Sequence, residues 1–170
     1  MKSAVSKRIQ SAIKAYSESD YETSFYHLFS ALDVTAKRRY PAARKVGVRN
    51  ELFLKDIQDI VLKLHIGYSM ELDINGVTFP KLISEFGRNS LIHDGELSER
   101  FVISEEQGIS IGESWTIHHS IIACLITAVI VARENRLENA ESDTGVRIRD
   151  ETFPLNDLWG KEAELREKLK

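Results

Sequence analysis

"IIACLITAVIVA", residues 121–132, is the longest apolar stretch of the chain, and its length decides the architecture. Spanning a bilayer takes roughly 20 such residues, whereas about 12 suit a helix buried on most sides of a protein core. The apolar pattern predicts one long helix over about 114–137. Such a helix must be covered by others, and the flanking sequence supplies them.

On the N-terminal side, Val5, Ile9, Ala12, Ile13 and Tyr16 recur at helical spacing, predicting a helix over about 3–18. Ser19 or Asp20 then caps a second helix, whose apolar face is Tyr21, Phe25, Leu28, Phe29, Leu32 and Ala36 until Pro41 stops it. A third runs from about 49 to 66, with Gly67 as its stop. Asn75-Gly76 reads as a turn between short alternating segments. Thr78 and Pro80 restart a helix with Phe79, Leu82, Ile83 and Phe86 inward, and Gly95 stands where it ends.

On either side of "EEQG" (105–108), apolar and polar residues alternate, predicting a β-hairpin insertion over 101–112. After residue 138 the chain turns polar; "GVRIRDETF" (145–153) reads as extended and about 155–169 as a terminal helix. The expectation is all-α: one domain over 1–170, a bundle of five to six helices with a small β-hairpin and a polar C-terminal extension.

Composition narrows the function classes. A net charge of −3 gives no general attraction to nucleic acid or anionic membrane, so any such binding needs a local patch. The N-terminus has no uninterrupted apolar signal core. Cys124 is the single cysteine, which forbids an intrachain disulfide and agrees with a cytoplasmic location. Its apolar surroundings make it a poor nucleophile. No phosphate-binding glycine loop is present. His118-His119, read as neighbours on a helix, diverge by about 100° and cannot easily share a metal ion. No cofactor and no metal are expected. His27 reads as a packed helix residue, His65 as a C-terminal cap, and Trp115 and Trp159 as core.

One stretch does not fit simple packing. In "EFGRNSLIHDGEL" (85–97), Arg88, Asn89 and His93 gather near a helix end. Arg88 and His93 lie about 140° apart around an α-helix and about 7.5 Å along it, while Asn89 and His93 share a face. The helix dipole and Asp94 favour a protonated His93. An imidazole that titrates near neutrality beside a fixed guanidinium suits RNA cleavage by 2′-hydroxyl attack. The plainer reading pairs Arg88 with Glu85 and leaves His93 as a satisfied interior histidine.

"RNSLIH" (88–93) resembles the R-x(4–6)-H signature of the HEPN superfamily, helical domains in which a polar residue, often Asn, follows the arginine. "YHLFSALDVTAKRRYP" (26–41) is similar to an early helix of that family. The resemblance implies a metal-independent endoribonuclease working as a homodimer, often in toxin–antitoxin or phage-defence systems with an antitoxin or other partner protein. It makes Arg88 and His93 catalytic and Asn89 a positioning residue. The alternative it leaves open is a non-catalytic module that binds nucleotide, RNA or protein. The basic run "KRRYPAARKVGVR" (37–49) would offer Arg38, Arg39, Arg44 and Lys45 to RNA phosphates, with Tyr40 for stacking.

Overall fold

A computed structural model describes residues 3–89, 96–97, 99–106, 109–111, 113–141 and 144–170; of these, the side chains of 86–89, 109 and 111 fall outside the description. The protein is mostly helical, with small strand pairs attached. Helix α1 (Ala4–Ser17) opens on Ser3, whose hydroxyl accepts the Val5 N–H at 3.2 Å. Helix α2 (Tyr21–Arg39) opens on Asp20, whose carboxylate accepts the Thr23 N–H at 3.0 Å. Ser19 between them takes a left-handed φ of 59°, and the two helices pack against each other. Buried Ser24 fastens the pair by donating its hydroxyl to the Ala12 carbonyl at 2.9 Å.

Helix α3 (Val46–Ile66) starts three residues earlier than the spacing predicts and stops at Gly67, whose φ of 86° is the left-handed cap that glycine tolerates. Asn75 and Gly76 both have positive φ and join the two-residue strands β1 (Asp73–Ile74) and β2 (Val77–Thr78). Thr78 caps the short helix α4 (Phe79–Lys81), accepting the Lys81 N–H at 3.4 Å, and the chain continues as a π-helix over Leu82–Asn89.

The sequence between 101 and 118 departs from both expectations made for it. Strands β3 (Phe101–Ser104) and β4 (Ile109–Ile111) do not form a hairpin with each other. A third strand, β5 (Trp115–His118), lies between them, parallel to β3 and antiparallel to β4. The predicted helix over 114–137 therefore loses its first turn to a strand. Trp115 and Ile117 are buried on one face, and that two-residue spacing overlaps the helical spacing of Ile117 and Ile121. As the middle strand, β5 is bonded on both sides, and this decides the conflict.

Helix α5 (Ser120–Val131) follows, and it packs on α1, α2 and α3. It ends six residues before the predicted limit because Ala132 leaves helical geometry and Asn135 folds back. The Asn135 side-chain amide donates to the Val129 carbonyl at 2.7 Å and to Thr35 Oγ1 at 3.0 Å. Phe25, Phe29, Leu28, Leu32, Phe53, Leu54 and Ile57 are fully buried around this helix.

The tail is less detached than its polarity suggests. Strands β6 (Gly145–Ile148) and β7 (Glu151–Pro154) pair antiparallel, and helix α6 covers Glu162–Lys168. Leu155, Leu158, Trp159 and Leu165 all enter the common core. The predicted terminal helix breaks at Gly160, whose φ is +75° and where an added Cβ would stand 2.4 Å from Arg136 Cβ. Among the described residues, no helix is long and apolar enough to cross a membrane.

Candidate functional site

The segment carrying Arg88 and Asn89 hangs from a well-anchored element. Phe79, Leu82 and Ile83 are fully buried, and Ser84 is buried beside them. Glu85, on the outer side, pairs with Lys81 at 3.9 Å. The backbone of Arg88 and Asn89 lies in the last turn of the π-helix. The side chains of Arg88 and Asn89, and all of His93 and Gly95, lie outside the described residues.

The basic run divides into two groups. Arg38 donates to Asn135 Oδ1 at 2.7 Å and to Glu138 Oε1 at 2.8 Å. Arg39 is nearly sealed, its side chain 4% exposed, and donates to Glu134 at 2.7 Å and Glu162 at 2.5 Å, with Asp56 at 3.4 Å. Its guanidinium also lies over the Phe53 ring, 4.9 Å from the centroid. Burial disfavours the Arg39 charge, but the bonds from Glu134 and Glu162 outweigh it and push its pKa up. Tyr40 is hydrogen-bonded to Asp56 and is raised to about 12 by burial and that carboxylate. Arg38, Arg39 and Tyr40 thus hold the chain's own groups, while Arg44 and Lys45 stand exposed at the start of α3. A guanidinium with three carboxylates around it has no charge left for a phosphate.

At the other end of the bundle, a cluster that the sequence reading did not anticipate is assembled from α1, α2, α3, β5, α5 and the turn after β3. His118 is the last residue of β5 and His119 the turn into α5, so they are not neighbours on a helix; their rings lie 4.2 Å apart. His65, at the end of α3, does not cap its own helix. Its Nδ1 lies 2.9 Å from Ser120 Oγ, and His118 Nδ1 lies 2.7 Å from the same oxygen. The Ser120 N–H points at His118 Nδ1 at 3.2 Å, so that nitrogen carries a lone pair. The Ser120 hydroxyl then donates to His118, and His65 Nδ1–H donates to Ser120.

Beside this chain lies a second one. Tyr16 from α1 meets His119 Nδ1 at 2.8 Å, and His119 Nε2 lies 3.4 Å from Glu105. Tyr21 stacks on His119 with centroids 4.5 Å apart and donates to Glu105 at 3.2 Å. Burial and the neighbouring tyrosine push Tyr16 up to about 12, so its hydroxyl stays a donor. Burial lowers His65 and His119, and the nearby His118 lowers both further, while Glu105 opposes this at His119. His65 Nε2 is buried without a hydrogen-bond partner among the described residues.

Residues 4–170 match the family described as Rv1289. The chain belongs to the Rv1289 family. The match takes in the bundle, the three-stranded sheet and the C-terminal hairpin together, so the tail is as much a part of the Rv1289 unit as the helices are. No curated protein and no solved structure matches the chain.

Within this Rv1289-family chain, Cys124 is buried and its thiol is pushed up to about 12 by burial, which leaves it unreactive. Trp115 and Trp159 are buried, as their spacing predicts. Among the described residues, no group of three or more His, Cys, Asp or Glu side chains is arranged to hold a metal ion. The histidine cluster escaped the sequence because its members come from positions 16, 21, 65, 105 and 118–120. The one local signal was the W-T-I-H alternation, which fits a strand and a helix alike, so His118 leaves the helix only through the pairing of β5 with β3 and β4.

Proposed function

We propose that this chain is a metal-independent endoribonuclease, acting as a homodimer, in which Arg88, Asn89 and His93 work on an RNA phosphodiester. One observation carries the reading. Arg88 and Asn89 sit in a π-helix, a rare backbone form that is concentrated at functional sites, on an element otherwise fixed in the core. A π-helix is wider than an α-helix, so it re-aims residues that α-helical spacing would place elsewhere.

In the reaction, the RNA 2′-oxygen forms a bond to the adjacent phosphorus while the bond to the 5′-oxygen breaks. A base removes the 2′-hydroxyl proton, an acid protonates the departing 5′-oxygen, and the products are a 2′,3′-cyclic phosphate and a 5′-hydroxyl. His93 from one protomer and His93 of a second copy would supply base and acid. Arg88 would meet the charge that builds on the phosphoryl oxygens, and Asn89 would orient the phosphate. Arg44 and Lys45, exposed and free of the carboxylates that hold Arg39, are the cations of the basic run suited to the backbone beyond the cut.

The test is cleavage of single-stranded RNA in excess EDTA by wild type, Arg88→Ala and His93→Ala. Cleavage by the wild type should persist in EDTA and drop by about 100-fold or more in each variant, with circular dichroism unchanged. Activity that disappears with EDTA, or survives both substitutions, overturns the proposal. RNA that is bound but never cut turns the reading to a non-catalytic RNA-binding module.

A further inference from the structure

The histidine cluster at the head of α5 does something that neither packing nor RNA cleavage at 88–93 uses. A serine hydroxyl is held between two imidazoles, its hydrogen aimed at one and a lone pair accepting from the other. Ser120 is partly exposed, whereas His118 beneath it is buried, 6% exposed. The oxygen-to-nitrogen distance of 2.7 Å falls inside the range that couples a nucleophile to its base. The position also matters. Strand β5 turns directly into α5, and Ser120 is the first residue of that helix, where the dipole favours developing negative charge.

We infer that Ser120 is a nucleophile for acyl transfer from carboxylic esters, with His118 as its base and His65 as the group that holds the hydroxyl in place. The Ser120 Oγ–carbonyl bond forms as the hydroxyl proton passes to His118 Nδ1. The tetrahedral intermediate then collapses, the bond from carbon to the departing alkoxide breaks, and that alkoxide takes the proton from His118. Water repeats the sequence on the acyl-serine and releases the carboxylic acid, leaving Ser120 and His118 as they began.

The neighbours keep the pathway open. His65 and His119 are both held uncharged near neutrality by burial and by His118 itself. A proton arriving on His118 therefore meets no second positive ring. Tyr16 and Glu105 fix His119 through its two nitrogens, and the stacked Tyr21 holds the ring in plane. Ser120 itself is partly exposed, and the His119 side chain is 19% exposed.

The experiment uses the full chain and two probes, diisopropyl fluorophosphate read by intact mass and p-nitrophenyl acetate read by absorbance. One adduct per chain is expected, located by peptide mapping on Ser120, together with hydrolysis of the acetate. Ser120→Ala should abolish the adduct, and His118→Gln should slow labelling by at least tenfold with Ser120 still present. Because His118 is buried and its substitution can cost folding, His65→Gln gives an independent reading: it leaves the Ser120–His118 pair in place, and labelling should slow with Ser120 still the labelled residue. No adduct, an adduct on another residue, or an unchanged rate in folded His118→Gln and His65→Gln proteins overturns the proposal.

Discussion

Helix α2 has a cluster of polar groups at each end, about 27 Å apart along its axis, and the two are built on opposite rules. At the C-terminal end, Arg39 is enclosed by Glu134, Glu162 and Asp56, Arg38 by Asn135 and Glu138, and Arg166 by Asp59 and Glu162. Guanidinium does not titrate in any ordinary range, and every one of these cations has carboxylate partners. This end ties α2, α3 and the C-terminal helix together at any pH that leaves the carboxylates ionised. At the N-terminal end, Tyr16, Tyr21, His65, His118, His119 and Ser120 make hydrogen bonds whose direction depends on where protons sit. The first cluster is fixed and the second conditional. A bundle secured at one end can tolerate groups at the other that must change charge to act.

The largest effect expected from this contrast belongs to the fixed end. Arg39→Met leaves Glu134 and Glu162, whose side chains are 11% and 13% exposed, without their central cation. Burial opposes the charge on Glu134, and the bonds from Arg39 and Arg133 overcome that and lower its pKa. Removing one partner of such a buried group costs about 3–5 kcal/mol, measurable as a shift in urea midpoint at unchanged slope. Unchanged stability would dissolve the distinction between the two ends.

A smaller effect should appear at the conditional end, and its sign follows from the lowered His65 and His119 pKa values. Between those depressed values and the ordinary 6.5, the unfolded chain binds more protons than the folded one. Stability present above that window is lost as pH falls through it. The melting temperature should therefore drop between pH 7.5 and 5.5, and drop less in His65→Gln and His119→Gln. Equal drops in all three proteins would remove the histidines from the account. The smallest effect serves as the control. Lys14→Ala breaks an exposed pair with Glu18, at 77% and 61% side-chain exposure, and should change stability by less than about 0.5 kcal/mol.

Much of the helical frame can be read from local chemistry. Asp20, Thr78, Gly67 and the Asn75-Gly76 turn all sit where their side chains or backbone freedom place them, because caps and turns are decided by neighbours in sequence. The strand at 115–118 could not be read that way. Its residues satisfy both the two-residue and the helical spacing, and only pairing with β3 and β4 on both sides decides between them. The partners of Arg39 in the basic run could not be read for a similar reason. Composition shows that Arg39 is positive, but the carboxylates that occupy it come from 95 and 123 residues away. The cluster around Ser120 is the extreme case, assembled by tertiary contacts from residues with no common spacing.

The order of the three-stranded sheet has a consequence for a chain made from its N-terminus. Strands β3 and β4 are synthesised first, yet the strand that bonds them both comes last, at Trp115–His118. Until those four residues emerge from the ribosome, two edges lie open to any passing strand. The strand that closes them also carries His118, so the sheet and the imidazole pair depend on the same four residues.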